Sequence, residues 1–142
     1  MLDGLVGYHL RRASNAVSAD FARALESTGV RQVPFAVVAV VAANPGAAQG
    51  AVGRALGVKP ANMVALVGEL AEAGVLERRP VPGDRRAVAL SLTEAGEARF
   101  REWTDRIRDH ERRLFTPLSP DERASLIALL SKLGGAAGPD GD

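Results

Sequence analysis

Apolar residues recur over the first 25 positions at spacings of three and four: Leu2, Leu5, Val6, Leu10, Ala13, Val17, Phe21, Ala24 and Leu25. That period gathers them on one face of a helix, with Gly29 as its predicted stop. The next block, Val33-Pro34-Phe35-Ala36-Val37-Val38-Ala39-Val40-Val41-Ala42-Ala43, is apolar on every side. Periodicity alone does not separate a buried helix from a buried strand there. The run is long for a strand, Pro34 suits a first helical turn, and Asn44-Pro45-Gly46 ends it abruptly, so a helix is expected.

The following stretch divides at Gly57 into two short helical segments. Val52 and Leu56 form the apolar stripe of the first; Met63, Leu66, Val67 and Leu70 form that of the second, which Gly74 closes. Two short helices about such a turn have the form of a helix-turn-helix, a pattern shared with ordinary helix pairs. Val75-Leu76-Glu77-Arg78 and Ala87-Val88-Ala89-Leu90-Ser91-Leu92 then alternate as strands do. Between them lie the turn formers Pro80, Pro82, Gly83 and Asp84. The result is a β-hairpin with Arg78, Arg79, Arg85 and Arg86 around its tip, and a helix-turn-helix followed by such a hairpin is a winged helix. Arginine on a wing tip suits the concentrated negative potential of a narrow minor groove.

Thr93 is placed to cap a long helix with Glu94 and Glu97 in its first turn. Phe100, Trp103, Ile107 and Leu114 supply its apolar stripe, and the face carrying Arg99, Arg101, Arg106, Arg108, Arg112 and Arg113 reads as solvated. Ser119-Pro120-Asp121-Glu122 is a capping box with proline at the first helical position. Leu126, Ile127, Leu130 and Leu133 follow on one side of a final helix. The Gly-rich acidic segment 134–142 is expected to be disordered. The fold class predicted is mainly α with a small β-hairpin wing.

Composition narrows the function. With 142 residues, 46% hydrophobic and 25% charged, the chain is long enough for one soluble domain with its own core. The absence of cysteine excludes disulfides, thiol redox sensing and thiolate metal sites, and makes a reducing cytoplasm the expected compartment. No secretory leader opens the sequence, and no apolar run reaches the roughly 18 residues of a membrane span. Net charge is only +1, but sixteen of the eighteen basic residues are arginine, the others being Lys59 and Lys132. Arginine suits phosphate and base edges; a GC-rich coding sequence produces the same bias. The two histidines, His9 and His110, stand beside no nucleophile or paired carboxylates in sequence, and no Walker loop or dinucleotide fingerprint occurs. No enzyme, metal or cofactor is expected.

Several of these residues together carry a resemblance. The order of elements, Gln49 with the Leu56-Gly57-Val58 turn, the Leu66-Val67…Leu70…Gly74-Val75-Leu76 exit, and above all Asp84-Arg85-Arg86…Leu90-x-Leu92-Thr93-x-x-Gly96 resemble the MarR family of bacterial transcriptional regulators. The likeness spans nearly the whole chain. It implies a single domain over 1–138, with dimerisation helices at 1–29 and 98–135 and a winged-helix DNA-binding lobe at 33–93. It also implies a homodimer on double-stranded, pseudo-palindromic DNA, no membrane partner, and a ligand-responsive repressor. A winged helix used for protein interaction is the alternative.

By that resemblance Arg86 is the minor-groove residue, Asp84 the carboxylate that holds an arginine in place, and Arg85 a phosphate contact. The candidate DNA-contacting set is Gln49, Lys59, Asn62, Met63, Val64, Asp84, Arg85 and Arg86. The recognition helix departs from family habit: instead of Ser, Thr and Arg it offers Lys59, Asn62, Val64 and Ala65. Lys59 opposes the helix dipole and makes sense facing a phosphate. Asn62 matches adenine or is simply solvated, and Val64 or Ala65 matches a thymine methyl. Gly68, costly within a helix, is expected to pack closely against a neighbour. The resemblance further implies a small aromatic acid or acyl-CoA effector, with Tyr8, His9, Arg11, Arg12, Phe35 and Trp103 as candidates. Burial statistics favour a packed, hydrogen-bonded His9 over a ligand-binding one, and for Arg11 and Arg12 the other reading is that they snorkel or pair with acids.

Overall fold

The computed structural model of the chain describes residues 1–136. After a 3-10 turn at Leu2–Gly4, helix α1 (Val6–Glu26) forms over the predicted stripe and stops before Gly29, whose φ of +72° suits glycine alone. The apolar block is α2 (Gln32–Ala43), a helix as expected, with Pro34 in its first turn and Val37, Val38 and Val41 wholly buried. Asn44 ends it, its side-chain amide donating to the Val40 carbonyl at 2.9 Å. Helices α3 (Gln49–Leu56) and α4 (Pro60–Glu72) meet at Gly57, where φ is +65°.

The sheet contains one strand that hydrophobic pattern did not predict. β1 (Ala47–Ala48) pairs with Leu90 and Ala89 of β3 (Asp84–Leu92), which also pairs along its length with β2 (Leu76–Val81). All pairs are antiparallel in the order β1-β3-β2. The hairpin strands run closer to the tip than their alternation suggested. Pro80, expected in the turn, lies within β2 opposite Val88, and a register shift follows at Pro80/Val81. β2 is an edge strand, where a sheet tolerates a residue without an N–H, and a bulge is the usual accompaniment.

Helix α5 (Glu94–Leu114) begins at the predicted cap: Thr93 Oγ1 accepts from the Gly96 amide at 2.9 Å and donates to the Gly74 carbonyl at 2.5 Å. That second bond ties the start of α5 to the end of α4. At Gly96 the two elements touch, since a Cβ there would stand 2.0 Å from the Val75 carbonyl oxygen. Helix α6 (Pro120–Ala136) opens on the predicted box, with the Ser119 amide donating to Glu122 Oε2 at 2.7 Å and the Glu122 amide to Ser119 Oγ at 3.2 Å. Residues 134 and 135, which the sequence placed in both the last helix and the tail, continue this helix together with 136; the rest of that tail, 137–142, lies outside the described residues.

One core joins the end of α1 (Leu25), α2, α3 (Val52), α4 (Met63, Val67, Leu70), the base of the wing (Val75, Leu76, Leu90) and Trp103 of α5. Each fully buried Val or Leu contributes about 1.5–3 kcal/mol relative to exposure. Two apolar surfaces remain outside it: Leu2, Leu5, Val6 and Leu10 at the chain start, and Leu126, Ile127, Leu129, Leu130 and Leu133 on α6. Gly68 does not pack as expected, for nothing lies within 4 Å of a Cβ built there; the tightest helical glycines among the described residues are Gly53, against Met63, and Gly96. Among the described residues no helix is long and apolar enough to cross a membrane.

Candidate nucleic-acid interface

Helix α4 buries Met63, Val67 and Leu70. At about 100° per residue, Ala61, Ala65 and Gly68 therefore form the opposite ridge, flanked by Val64 on one side and Asn62 on the other. Lys59 is the N-cap, with extended backbone and no capping bond from its side chain, and Pro60 follows in the first turn. The free amides of that first turn, with an ammonium beside them, can hold a phosphate oxygen.

The wing reaches the same region through strand alternation. Leu90, Val88, Arg86 and Asp84 share one face of β3, and Arg85 takes the other. As a result Asp84, Arg86 and Val88 line a groove of about 500 Å³ together with Gln49, Gly50 and Arg54 of α3 and Pro60 and Val64 of α4. A second groove of about 550 Å³, on the far side of α4, holds Lys59 and Asn62 with Arg31, Val33 and Glu69. The structure thus brings Gln49, Val64, Asp84 and Arg86 together, sets Lys59 and Asn62 across the helix from them, and leaves Arg85 outside both grooves.

Two expectations need correcting. Met63 is 1% exposed and packs against Gly53, so its side chain belongs to the core and not to the outward face of α4. Asp84 holds Arg86 by another route than a guanidinium pair: its Oδ1 accepts the Arg86 backbone N–H at 2.9 Å, the local bond by which Asp shapes a turn. This fixes the start of β3 and, through the backbone, where Arg86 points.

Arg54 is a groove residue that the sequence reading missed. Its Nη1 lies 3.3 Å from where a Gly50 Cβ would stand, so the guanidinium lies across the glycine one turn back on α3. The Gly50–Arg54 spacing of four was the available signal. Among the described residues, Arg54, Lys59, Arg85 and Arg86 have no carboxylate within salt-bridge distance, whereas Arg79 pairs with Glu77 at 2.8 Å and Arg31 with Glu69 at 3.2 Å. Positive charge is therefore left open around α4 and the wing, the condition under which a polyanion is attracted.

The effector candidates fall into two groups. Tyr8, His9, Arg11 and Arg12 lie on the solvated first half of α1, where the Arg12 guanidinium sits 5.5 Å from the Tyr8 ring centroid. His9 is exposed, its Nε2 2.8 Å from the Asp3 carbonyl oxygen, and is not the packed histidine its place near the stripe suggested. Phe35 and Trp103 belong instead to an aromatic cluster with Phe21 and Phe100, at centroid separations of 5.8 to 6.4 Å. Phe21 follows Tyr8 on α1 by about 20 Å of helix rise, so one chain does not bring the two groups together. Beside the cluster lies a residue that sequence gave no role: His110, 1% exposed, bonded through Nδ1 to Asp20 and edge-on to Phe21 at 6.1 Å.

Comparison with known proteins agrees with this geometry. A sequence model described as the MarR family matches residues 28–87, which run from the turn after α1 into β3 of the wing. A Thauera aromatica protein named as the transcriptional regulatory protein for the hcr operon is 34% identical over 131 residues, 92% of this chain and 79% of that protein. Among solved structures, the transcriptional repressor CouR bound to a 23-mer DNA duplex is 32% identical with a TM-score of 0.87, covering 94% of each chain. The PcaV transcriptional regulator of Streptomyces coelicolor, in complex with its natural ligand, is 27% identical with a TM-score of 0.81, covering 96% of each chain.

Proposed function

The chain belongs to the MarR family of DNA-binding transcriptional regulators, and from that premise we propose that it is a sequence-specific, ligand-responsive repressor that grips a pseudo-palindromic duplex as a homodimer. The observation that carries this reading is the groove lined by both Arg86 of the wing and Val64 of α4, in which neither Arg86 nor Arg54 has a carboxylate within salt-bridge distance among the described residues. In it α4 enters the major groove, Arg86 the adjoining minor groove, and Lys59, Arg54 and Arg85 meet phosphates. Gln49 and Asn62 are the polar side chains left for base edges or backbone. CouR, a repressor seen on DNA, supports the same docking.

The homodimer follows from apolar surface. Ile127, Leu129 and Leu133 of α6 are 65%, 59% and 54% exposed, and Leu2, Leu5 and Val6 stand uncovered at the other end of the chain. A second copy placing these faces together buries both and supplies a second recognition helix. Two half-sites about 34–36 Å apart are then read at once. PcaV, seen with a natural ligand, supports an effector. A small aromatic acid or acyl-CoA would use a guanidinium from Arg11 or Arg12 and the rings of Phe35 and Trp103, with Tyr8 and His9 alongside, which requires one group to come from the partner copy. A tenfold loss of DNA affinity on effector binding needs about 1.4 kcal/mol of coupling.

The test is recovery of genomic fragments by the purified protein, followed by footprinting. Two protected half-sites on one face of the duplex, one helical turn apart, are expected. A wing used only for protein contact would leave every fragment unprotected.

A further inference from the structure

Val64 is 60% exposed, and a β-branched apolar residue contributes little to an exposed helix position. It stands on the wing side of α4, in the groove that also holds Arg54 and Arg86. The ridge beside it, Ala61, Ala65 and Gly68, carries no polar group, and Asn62 is turned to the other groove. The wing side of the recognition helix therefore offers base edges a hydrocarbon surface in a groove shared with two guanidinium groups, the Asp84 carboxylate and the Gln49 amide. With Arg54 and Arg86 of the same groove free of carboxylate partners among the described residues, a nucleic-acid duplex is the occupant of this apolar patch in preference to another protein.

We infer that Val64 is a specificity-determining residue that reads thymine by its 5-methyl group, once in each half-site. The inference rests on the DNA-binding reading above and adds the identity of a base. Thymine is the only base whose major-groove edge carries a methyl group. An apolar side chain set against guanine or cytosine would strip water from their acceptors and donors without replacing it, so the contact both attracts thymine and penalises a G·C pair. Small side chains at Ala61, Ala65 and Gly68 let the helix approach closely enough for methyl groups to touch.

The experiment selects duplexes from a random-sequence pool with the full-length protein, then resynthesises the best with deoxyuridine in place of single thymines. Uracil differs from thymine only in lacking the 5-methyl group. At one position per half-site the exchange is expected to weaken binding about fourfold, the effect of about one buried methyl, and about fifteenfold in both half-sites together. Val64→Ala, which removes the contact from both subunits, should bind the thymine duplex about fifteenfold more weakly and no longer distinguish it from the uracil duplex, with its circular dichroism unchanged. A selected duplex indifferent to uracil at every position overturns this inference and leaves the regulator standing, as does a Val64→Ala protein that keeps the full thymine preference. A pool from which nothing is enriched overturns the regulator reading and this inference with it.

Discussion

Asp20 of α1 hydrogen-bonds the buried Nδ1 of His110 of α5, across 90 positions of sequence. The other oxygen of Asp20 meets Arg23 at 3.3 Å on the surface, while Nε2 of His110 has no partner among the described residues. The bond joins the two long helices beneath the aromatic cluster. Asp20→Ala leaves an imidazole with both nitrogens buried and unpaired, which costs about 1–3 kcal/mol. Thermal unfolding at fixed protein concentration should show a melting temperature lower by about 3–10 °C. An unchanged midpoint would mean that the pair contributes nothing to holding α1 on α5.

Two glycines should respond to alanine with opposite signs. At Gly96 the new Cβ meets the Val75 backbone carbonyl, which cannot yield without moving the start of β2. A loss of about 3 kcal/mol or more, seen as a sharp fall in the urea midpoint, is expected. At Gly68 the Cβ enters open space within a helix, so alanine should raise stability by up to about 1 kcal/mol. If Gly68→Ala destabilises the protein instead, the glycine has a packing role that this structure does not contain.

The arginines of the wing should separate by kind of effect. Arg86→Ala, removing a groove contact, should weaken the selected duplex by about 1–3 kcal/mol and relax its sequence preference. Arg85, on the opposite strand face, should act as a phosphate contact. Its alanine variant should lower affinity for all duplexes alike and flatten the salt dependence by about 2, one phosphate per subunit. Equal loss of preference in both variants would refute the division of roles that strand alternation assigns. Asp84→Ala, which frees the Arg86 amide, should reproduce the Arg86 phenotype in part, although it removes a negative charge from a DNA-binding groove.

A carboxylate set into the apolar face of α6 should break the dimer. Ile127→Glu is expected to sediment as a monomer at micromolar concentration and to bind a single half-site far more weakly, because the second recognition helix no longer follows the first onto the duplex. A variant that remains dimeric would move the interface elsewhere.

Much of this was legible in the sequence wherever a repeating pattern met a chemical stop. The stripes of α1, α4 and α5, the glycines at 57 and 74, Thr93 and the Ser119–Glu122 box each appeared where period and capping chemistry placed them. β1 was not legible, because two alanines are too short to show alternation and owe their strand to Leu90 and Ala89 elsewhere in the chain. Pro80 misled because its turn preference yielded to an edge-strand position. Met63 stood both in the apolar stripe and among the DNA contacts, and the stripe was the better guide, since its spacing with Val67 and Leu70 fixes the buried face. The Asp20–His110 bond depends on how two helices 90 positions apart pack, which local pattern does not encode, whereas the crossing of Arg54 over Gly50 had a local signal in their spacing of four.

The central claim is that α4 and the wing grip a charged duplex together, twice, through a paired subunit. Measuring the affinity for the selected duplex over a series of salt concentrations tests it most directly. With Arg54, Lys59 and Arg85 meeting phosphates in each of two subunits, log affinity should fall against log salt with a slope of roughly −5, at about −0.9 per contact. A slope near zero, or one equally shallow for wild type and for the Arg85→Ala protein, would contradict it.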